Sequence, residues 1–191
     1  MKECGIKMKQ LGFKFRTWGG KRKGAGRPPK GKRAGVSHDK RPRLNRRLPL
    51  HVTVRVKRGV WSLRTRRCFV ALSRAFWGGA NRFGFRLVHY SVQGNHIHFL
   101  VEAEDRIALS RGMTGLGTRM ARSLNRVMQR SGAVFADRYH SRILRTPTEV
   151  KRVRHYLLNN ARKHYGLVGP DRFTSLVAVI APDTFLLRQL C

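Results

Sequence analysis

Two neighbouring segments with strand character constrain the fold of this chain more than any other feature of its sequence. Residues Phe85 to Val92 and His96 to Ala103 are rich in apolar and β-branched side chains, and Gly94-Asn95 lies between them. Gly and Asn tolerate the positive backbone angles of a tight hairpin turn. The pattern therefore predicts two antiparallel strands joined by a short turn. The other strands and helices must pair with or pack on this hairpin.

The rest of the folded region shows further strand and helix patterns. Apolar and polar residues alternate over residues 50–57, which is typical of a half-buried strand. Apolar residues recur at helical spacing over residues 64–83, 107–130 and 148–165, and residues 133–145 indicate another extended segment. This order favours the α+β class, with a ferredoxin-like antiparallel sheet and helices packed on one of its faces.

The charge balance indicates the class of partner. The 191 residues contain 42 Lys and Arg against nine Asp and Glu, a formal net charge of +33, which points to a polyanion. We expect a basic, flexible arm at residues 1–48, a folded domain at residues 49–168, and a tail at residues 169–191 whose structure the pattern leaves open. The Gly-Arg-Pro tripeptide centred on Arg27 resembles an AT-hook, and a generic phosphate-binding tail is the alternative.

The hydropathy of the chain bears on its location. No run of residues approaches the roughly 18 apolar residues that a spanning helix needs, and the amino terminus lacks the apolar stretch of a signal peptide. We therefore expect a cytoplasmic protein without a membrane partner.

The sharpest chemical feature is the pair His96 and His98. Residues two apart on a strand project to the same side, so the two imidazoles lie together while Ile97 and Phe99 enter the opposite face. Two neutral imidazoles can hold one divalent cation and leave positions open to polarise a phosphoryl oxygen. The alternative is a pair of ordinary polar residues on a strand.

The sequence around this pair resembles a known family. GNHIHFLVEA is similar to the hydrophobic-His-hydrophobic-His-hydrophobic strand of the HUH single-tyrosine transposases, of insertion-sequence type. The downstream run resembles their REP-associated tyrosine transposase branch, with similar spacing of Ser110, Met113, Asn125, Gly132, Phe135, Arg138 and Tyr139. The run YLLNNARKHYG at 156–166 is similar to that branch's Tyr-containing helix, with Ala161 where Pro is usual. The resemblance covers about residues 48–168.

The resemblance implies metal-assisted strand cleavage and transfer in DNA transposition. Its implied partner is single-stranded or hairpin DNA, and its implied cofactor is a divalent metal, Mg or Mn. His96 and His98 would be ligands of that metal, with Asn125 as a further candidate. A helix Tyr of the family attacks a phosphate to form a 5′-phosphotyrosyl bond. A homodimer is inferred from the resemblance alone.

The position of the nucleophile departs from the expected pattern. The resemblance would place it about five residues before Asn125, at Met120, whose thioether cannot attack phosphorus. Met120 lies in the apolar stripe of its helix and is interpreted as a core residue. The remaining candidates are Tyr139, which is also interpreted as a packing residue beside Arg138, and Tyr156, whose helix could reach the sheet. Whether the chain is an enzyme therefore stays open.

Arginines supply candidate phosphate contacts. Arg119, Arg122, Arg126 and Arg130 recur along the helix at 107–130, and Arg138 follows it. The chain has few carboxylates to neutralise these side chains, so we expect them to contact phosphates, with a solvated helix face as the alternative.

The helix at 64–83 and its neighbourhood carry further basic and aromatic residues. Arg64, Arg67 and Arg74 are expected to be available to solvent. Trp18, Trp61 and Trp77 could stack on unpaired bases, but Trp61 and Trp77 adjoin apolar segments and are predicted to belong to the core.

Two other functions fit the same residues. A catalytically inactive, domesticated transposase would keep the fold and act as a DNA-binding protein, which is what the departure at Met120 suggests. A basic RNA-binding or ribosome-associated protein would carry a similar charge.

Overall fold

The computed structural model describes residue 44, residues 48–166 and residues 171–175. These residues lie within one compact unit. Arg27 with its AT-hook resemblance, Trp18 and the apolar run at 176–181 lie outside the described residues. The expected domain boundaries stay predictions.

Five antiparallel strands form one sheet in the order β2-β3-β4-β1-β5. The elements in chain order are β1 (Leu50–Arg55), α1 (Arg66–Gly79), β2 (Asn81–Arg82), β3 (Phe85–Val92), β4 (His96–Ala103), α2 (Arg106–Val127), β5 (His140–Ile143) and α3 (Pro147–Tyr165). Apart from the two-residue β2, this is the strand and helix order of a ferredoxin-like fold. The predicted α+β class is confirmed, and the predicted hairpin has the bounds of β3 and β4.

Side chains at the helix ends explain where the helices begin and stop. Thr65 and Asp105 each accept a hydrogen bond from the backbone N–H three residues later, at the starts of α1 and α2. Thr146 caps α3 in the same way, and Pro147 occupies its first turn. Gly166, with φ of +64°, ends α3 in the left-handed conformation that glycine allows.

The sheet is covered on both faces. Alternate residues of β1 and β4, such as Val52, Ile97 and Phe99, are fully buried in one core with α1 and α2. A smaller core on the other face joins Val88 and Leu100 to Leu144, Val150 and Leu157, of which the last two belong to α3. The expectation of helices on one face holds for α1 and α2 and is wrong for α3. Within the described residues, no helix has the length and apolarity that crossing a membrane requires.

Arg64 anchors the segment 171–175 to the sheet. Its guanidinium donates two hydrogen bonds of 2.9 Å to the carboxylate of Asp171, and it lies over the rings of Tyr165 and Phe173 at 4.4 and 4.2 Å. Only 10% of the Arg64 side chain is exposed, so its expected availability to solvent is wrong. A bidentate, largely desolvated pair of this kind fixes both partners geometrically.

Glycines allow α2 to approach its neighbours. A Cβ on Gly112 would lie 2.1 Å from Cγ of Phe85, which is itself almost fully buried. A Cβ on Gly79 of α1 would lie 3.0 Å from Leu116 of α2. The α2 helix therefore sits against β3 and α1 at distances that a larger residue at 112 would prevent.

We predict that Gly112→Ala lowers the free energy of unfolding by about 1–3 kcal/mol, because the added methyl overpacks a filled core. Gly115→Ala, on the same helix with no atom within 4 Å of its added Cβ, is the matched control and should raise stability by up to about 1 kcal/mol. Urea denaturation of both variants measures the difference. Equal effects of the two substitutions would contradict the close approach of α2 to Phe85.

Candidate functional site

The two histidines of β4 face α3, away from the core formed by α1 and α2. His98 is buried and His96 is half-buried, and their ring centroids lie 4.8 Å apart on the same side of the strand. Ile97, between them, is fully buried on the other side. The alternation of β4 thus produces the shared surface that the sequence pattern predicts.

Neighbouring side chains orient the ring of His98. Its Nδ1 lies 3.1 Å from the Thr53 hydroxyl and 3.2 Å from Nε2 of His51, both on β1. Its Nε2 lies 3.2 Å from the hydroxyl of Tyr156 on α3. In the tautomer that donates from Nδ1 to Thr53, the Nε2 lone pair points toward α3 and accepts from Tyr156.

A hydrogen bond to Nδ1 also orients the ring of His96. Its Nδ1 lies 2.7 Å from Oδ1 of Asn95, the residue that ends the hairpin turn. A carbonyl oxygen can only accept, so Nδ1 carries the proton and Nε2 carries the lone pair. With His98 in the tautomer that donates from Nδ1, both histidines present an unprotonated Nε2, the form in which imidazole binds a metal.

One face of α3 covers this histidine pair. Tyr156, Asn160 and His164 recur at steps of four and so share a face of the helix. Tyr156 contacts His98, and the His164 ring centroid lies 6.3 Å from that of His96. Asn160 lies between these two contacts along the helix. It is 1% exposed, and neither atom of its amide has a hydrogen-bond partner in the described part of the chain.

Burial keeps the histidines of this face neutral. Desolvation lowers the pKa of His98 to about 3, and the neighbouring His96, His51 and His164 add to the effect. Desolvation also lowers the pKa of His51 to about 4, and it lowers the pKa of His96 as well. His89 of β3 is buried as well, and desolvation followed by the charge of Arg154 lowers its pKa to about 4.

The structure does not bring Met120 and Asn125 to this site. Met120 is fully buried in the core between the sheet and α2, on the face opposite His96 and His98, and it is a packing residue. Asn125 lies on the same helix and donates from its amide to the Gly132 carbonyl at 2.8 Å. The interpretation of Met120 as a core residue is therefore confirmed, and Asn125 is separated from the histidines by the sheet.

Tyr139 also lies away from the histidine pair. It packs against the α1 and α2 core and lines a cavity of about 380 Å³ together with Val54 and residues of α2 that include Ser110 and Met113. Of the two tyrosine candidates, only Tyr156 contacts His98.

The predicted arginines lie outside the histidine cleft. Arg119, Arg122 and Arg126 are exposed on α2, and Arg138 is exposed beyond it. Arg130 is half-buried and donates to the Ala133 carbonyl at 3.3 Å. Their role as phosphate contacts stays a prediction.

The prediction that Trp61 and Trp77 belong to the core is wrong. Trp77 is 68% exposed at the end of α1, and Trp61 is 45% exposed before that helix. The neighbouring Phe76 fills the core position instead, because it points at the sheet while Trp77 lies one residue further around the helix.

The two imidazoles that face α3 are donors of a kind that suits a divalent ion. In the described residues, no group of three or more His, Cys, Asp or Glu side chains is arranged to hold a metal. The buried, unsatisfied amide of Asn160 lies about one helical turn from Tyr156 on the same face of α3.

Comparison with known proteins identifies the family. A family model described as "Transposase IS200 like" matches residues 46–160, which is more than half of the chain. The chain belongs to the IS200-like transposase family. No curated protein sequence matches this family member.

A solved structure shares the fold of this IS200-like chain. The chain is similar to a REP-associated tyrosine transposase bound to a REP hairpin, with a TM-score of 0.61, 14% identity, and coverage of 77% of this chain and 89% of that chain. A candidate transposase from Deinococcus radiodurans R1 gives a TM-score of 0.43 at 15% identity, with coverage of 65% and 96%. The first likeness supports the fold, and the second adds no argument.

We predict that the free energy of unfolding falls as the pH is lowered from 7 to 5. The buried histidines have a pKa below the unfolded value of about 6.5, so the unfolded chain binds more protons in this range. The stability is complete above pH 6.5 and decreases toward pH 4. Urea denaturation at several pH values measures the slope, which His89→Gln should reduce. A pH-independent stability between 5 and 7 would contradict neutral burial.

Proposed function

We propose that this chain binds single-stranded or hairpin DNA and cleaves and rejoins one strand, with Tyr156 as the nucleophile. The observation that carries the proposal is the 3.2 Å contact between the Tyr156 hydroxyl and Nε2 of His98. Tyr156 is 37% exposed, so part of this residue borders solvent. A nucleophile must lie beside the groups that prepare its target, and Tyr139 does not.

Three side chains are proposed to hold the metal, Mg or Mn. His96 and His98 would bind through Nε2, and the Asn160 carbonyl oxygen would be the third protein ligand in place of Asn125. When bound, the ion would polarise an oxygen of the scissile phosphate. The unsatisfied, buried amide of Asn160 supports this assignment, because such a group requires a partner.

Other residues of the site orient the two imidazole rings. Thr53 and His51 hold the His98 ring from β1, and Asn95 holds the His96 ring.

Attack by Tyr156 would form the bond from Oη to phosphorus and break the bond from phosphorus to the 3′ oxygen. The phenolic proton is released as the first bond forms, and the departing 3′ oxygen takes up a proton. The phosphotyrosine then keeps a phosphodiester bond available for rejoining.

Charge and family support DNA as the partner. The net charge of +33 suits a polyanion, and a solved structure with this fold is a transposase bound to a REP hairpin. The exposed Arg119, Arg122 and Arg126, with Arg130 and Arg138, are proposed to contact its phosphates. A homodimer stays a prediction that rests on the resemblance.

We predict that Tyr156→Phe abolishes formation of a covalent protein–DNA adduct while leaving hairpin binding within about twofold. The loss follows because phenylalanine has no oxygen to attack phosphorus, and the ring that packs beside His98 is retained. A denaturing gel with end-labelled hairpin DNA and Mn²⁺ detects the adduct. Tyr139→Phe is the matched control and should keep it.

Three results would redirect this proposal. An adduct that survives Tyr156→Phe would exclude Tyr156 as the nucleophile. A native protein that saturates the hairpin but never forms an adduct would favour the inactive DNA-binding alternative. Tighter binding of an RNA hairpin than of a DNA hairpin at matched salt would favour the RNA-binding alternative.

We predict that Asn160→Ala weakens Mn²⁺ binding by at least about tenfold, because it removes one oxygen ligand from a set that has only two imidazoles. Asn125→Ala should leave Mn²⁺ affinity unchanged, since that residue lies across the sheet. Isothermal titration with Mn²⁺ alone measures both, without any DNA. Equal losses in the two variants would overturn the assignment of Asn160.

A further inference from the structure

The solvent side of α1 carries aromatic and basic side chains that the proposed cleavage does not use. Arg66, Val70, Arg74 and Trp77 fall on one stripe of this helix, and all four are exposed. The stripe is about 16 Å long at 1.5 Å per residue. This helix packs on the sheet face opposite His98, so the stripe is separate from the histidine cleft.

One end of the stripe lies next to the turn that precedes His96. Trp61 stands before α1, and the Arg67 guanidinium lies 5.9 Å from the centroid of its ring. Two residues later, the Leu63 N–H donates to the Gly94 carbonyl in the β3–β4 turn at 2.9 Å. Trp61 is therefore two residues from a backbone contact with this turn.

The other end of the stripe meets the arginines of α2. A Cβ on Gly78 would lie 3.2 Å from Nη1 of Arg119, so this guanidinium sits beside the residue that follows Trp77. Phe83 in the next turn is 76% exposed with φ of +53°, a conformation that costs a non-glycine residue energy. Arginines thus lie near Trp61 at one end of α1 and next to Trp77 at the other.

We propose that the outer surface of α1, formed by Trp61, Arg66, Arg67, Val70, Arg74 and Trp77, binds unpaired nucleotides of the DNA strand outside the histidine cleft. The inference rests on the proposed function for DNA as the partner. The face of an aromatic ring stacks on a base that is not paired, and arginines beside it contact the phosphates between bases. A duplex would offer the phosphates but not the base faces.

Charge argues against two other occupants of this surface. A two-fold dimer through α1 would bring Arg66, Arg67 and Arg74 against their own copies, and residues 40–101 contain no Asp or Glu to offset them. Residues 1–49 carry 17 Lys and Arg against two acidic residues, so this part of the chain has the same sign. DNA supplies the opposite charge and the stacking partner together.

The test compares a DNA hairpin with the same hairpin bearing an unpaired thymidine extension, by fluorescence anisotropy. The extension should strengthen binding of the full chain, and Trp77→Ala should remove about tenfold of that gain while leaving the blunt hairpin unaffected. Trp77→Phe should keep most of the gain. Leu158→Ala, which removes a 45% exposed apolar side chain from α3, is the matched control.

A second readout follows Trp77 itself. In the full chain carrying Trp18→Phe and Trp61→Phe, Trp77 fluorescence should be open to acrylamide, and the thymidine strand should quench the emission and block acrylamide. If acrylamide cannot quench Trp77 in the free protein, another part of the chain covers this face. If the solution mass halves in Trp77→Ala, this face is a dimer contact. Either result overturns the proposal. Adduct formation without a Trp77-dependent gain defeats this inference alone, whereas a Trp77-dependent gain without any adduct defeats only the cleavage proposal.

Discussion

The strict alternation of side chains along β4 is the constraint on which the rest of the structure depends. Ile97, Phe99 and Val101 are fully buried against α1 and α2, which commits His96 and His98 to the other face. A slip of one residue would exchange the two sets and put imidazoles into the hydrocarbon core. The same register pairs His98 with Thr53 of β1, so the packing of the core also supplies the hydroxyl that orients the ring.

Local chemistry made parts of this fold predictable. The apolar runs on either side of Gly94-Asn95 fix the bounds of β3 and β4, because alternation acts over a few positions. The positive backbone angles expected of the turn are wrong, since neither Gly94 nor Asn95 has a positive φ. The start of α3 follows similarly from Thr146 and Pro147. The side of the sheet that α3 covers does not follow, because helical periodicity shows which face of a helix is apolar but not which face of the sheet receives it.

The same limit explains why the site was only partly predictable. The helices at 107–130 and 148–165 each carry an Asn, and until their sheet faces are known, Asn125 and Asn160 are equivalent candidates. The signal that separates them was present in the sequence. Tyr156, Asn160 and His164 form a polar line at steps of four beside the apolar residues of α3, whereas the residues at the same steps before Asn125 are Ala121 and Gly117. Trp77 is exposed and not in the core as predicted, because Phe76 beside it already fills the core position.

The sheet therefore separates a pair of neutral histidines from the basic outer surface of α1. The described contacts of His96 and His98 include no carboxylate, so a cation bound there would keep its full charge in a chain of net charge +33. Bound phosphates would reduce that repulsion, and linkage requires the effect to be reciprocal. Metal and DNA should each increase the affinity for the other, so a site without acidic ligands would be assembled most completely when its substrate is present.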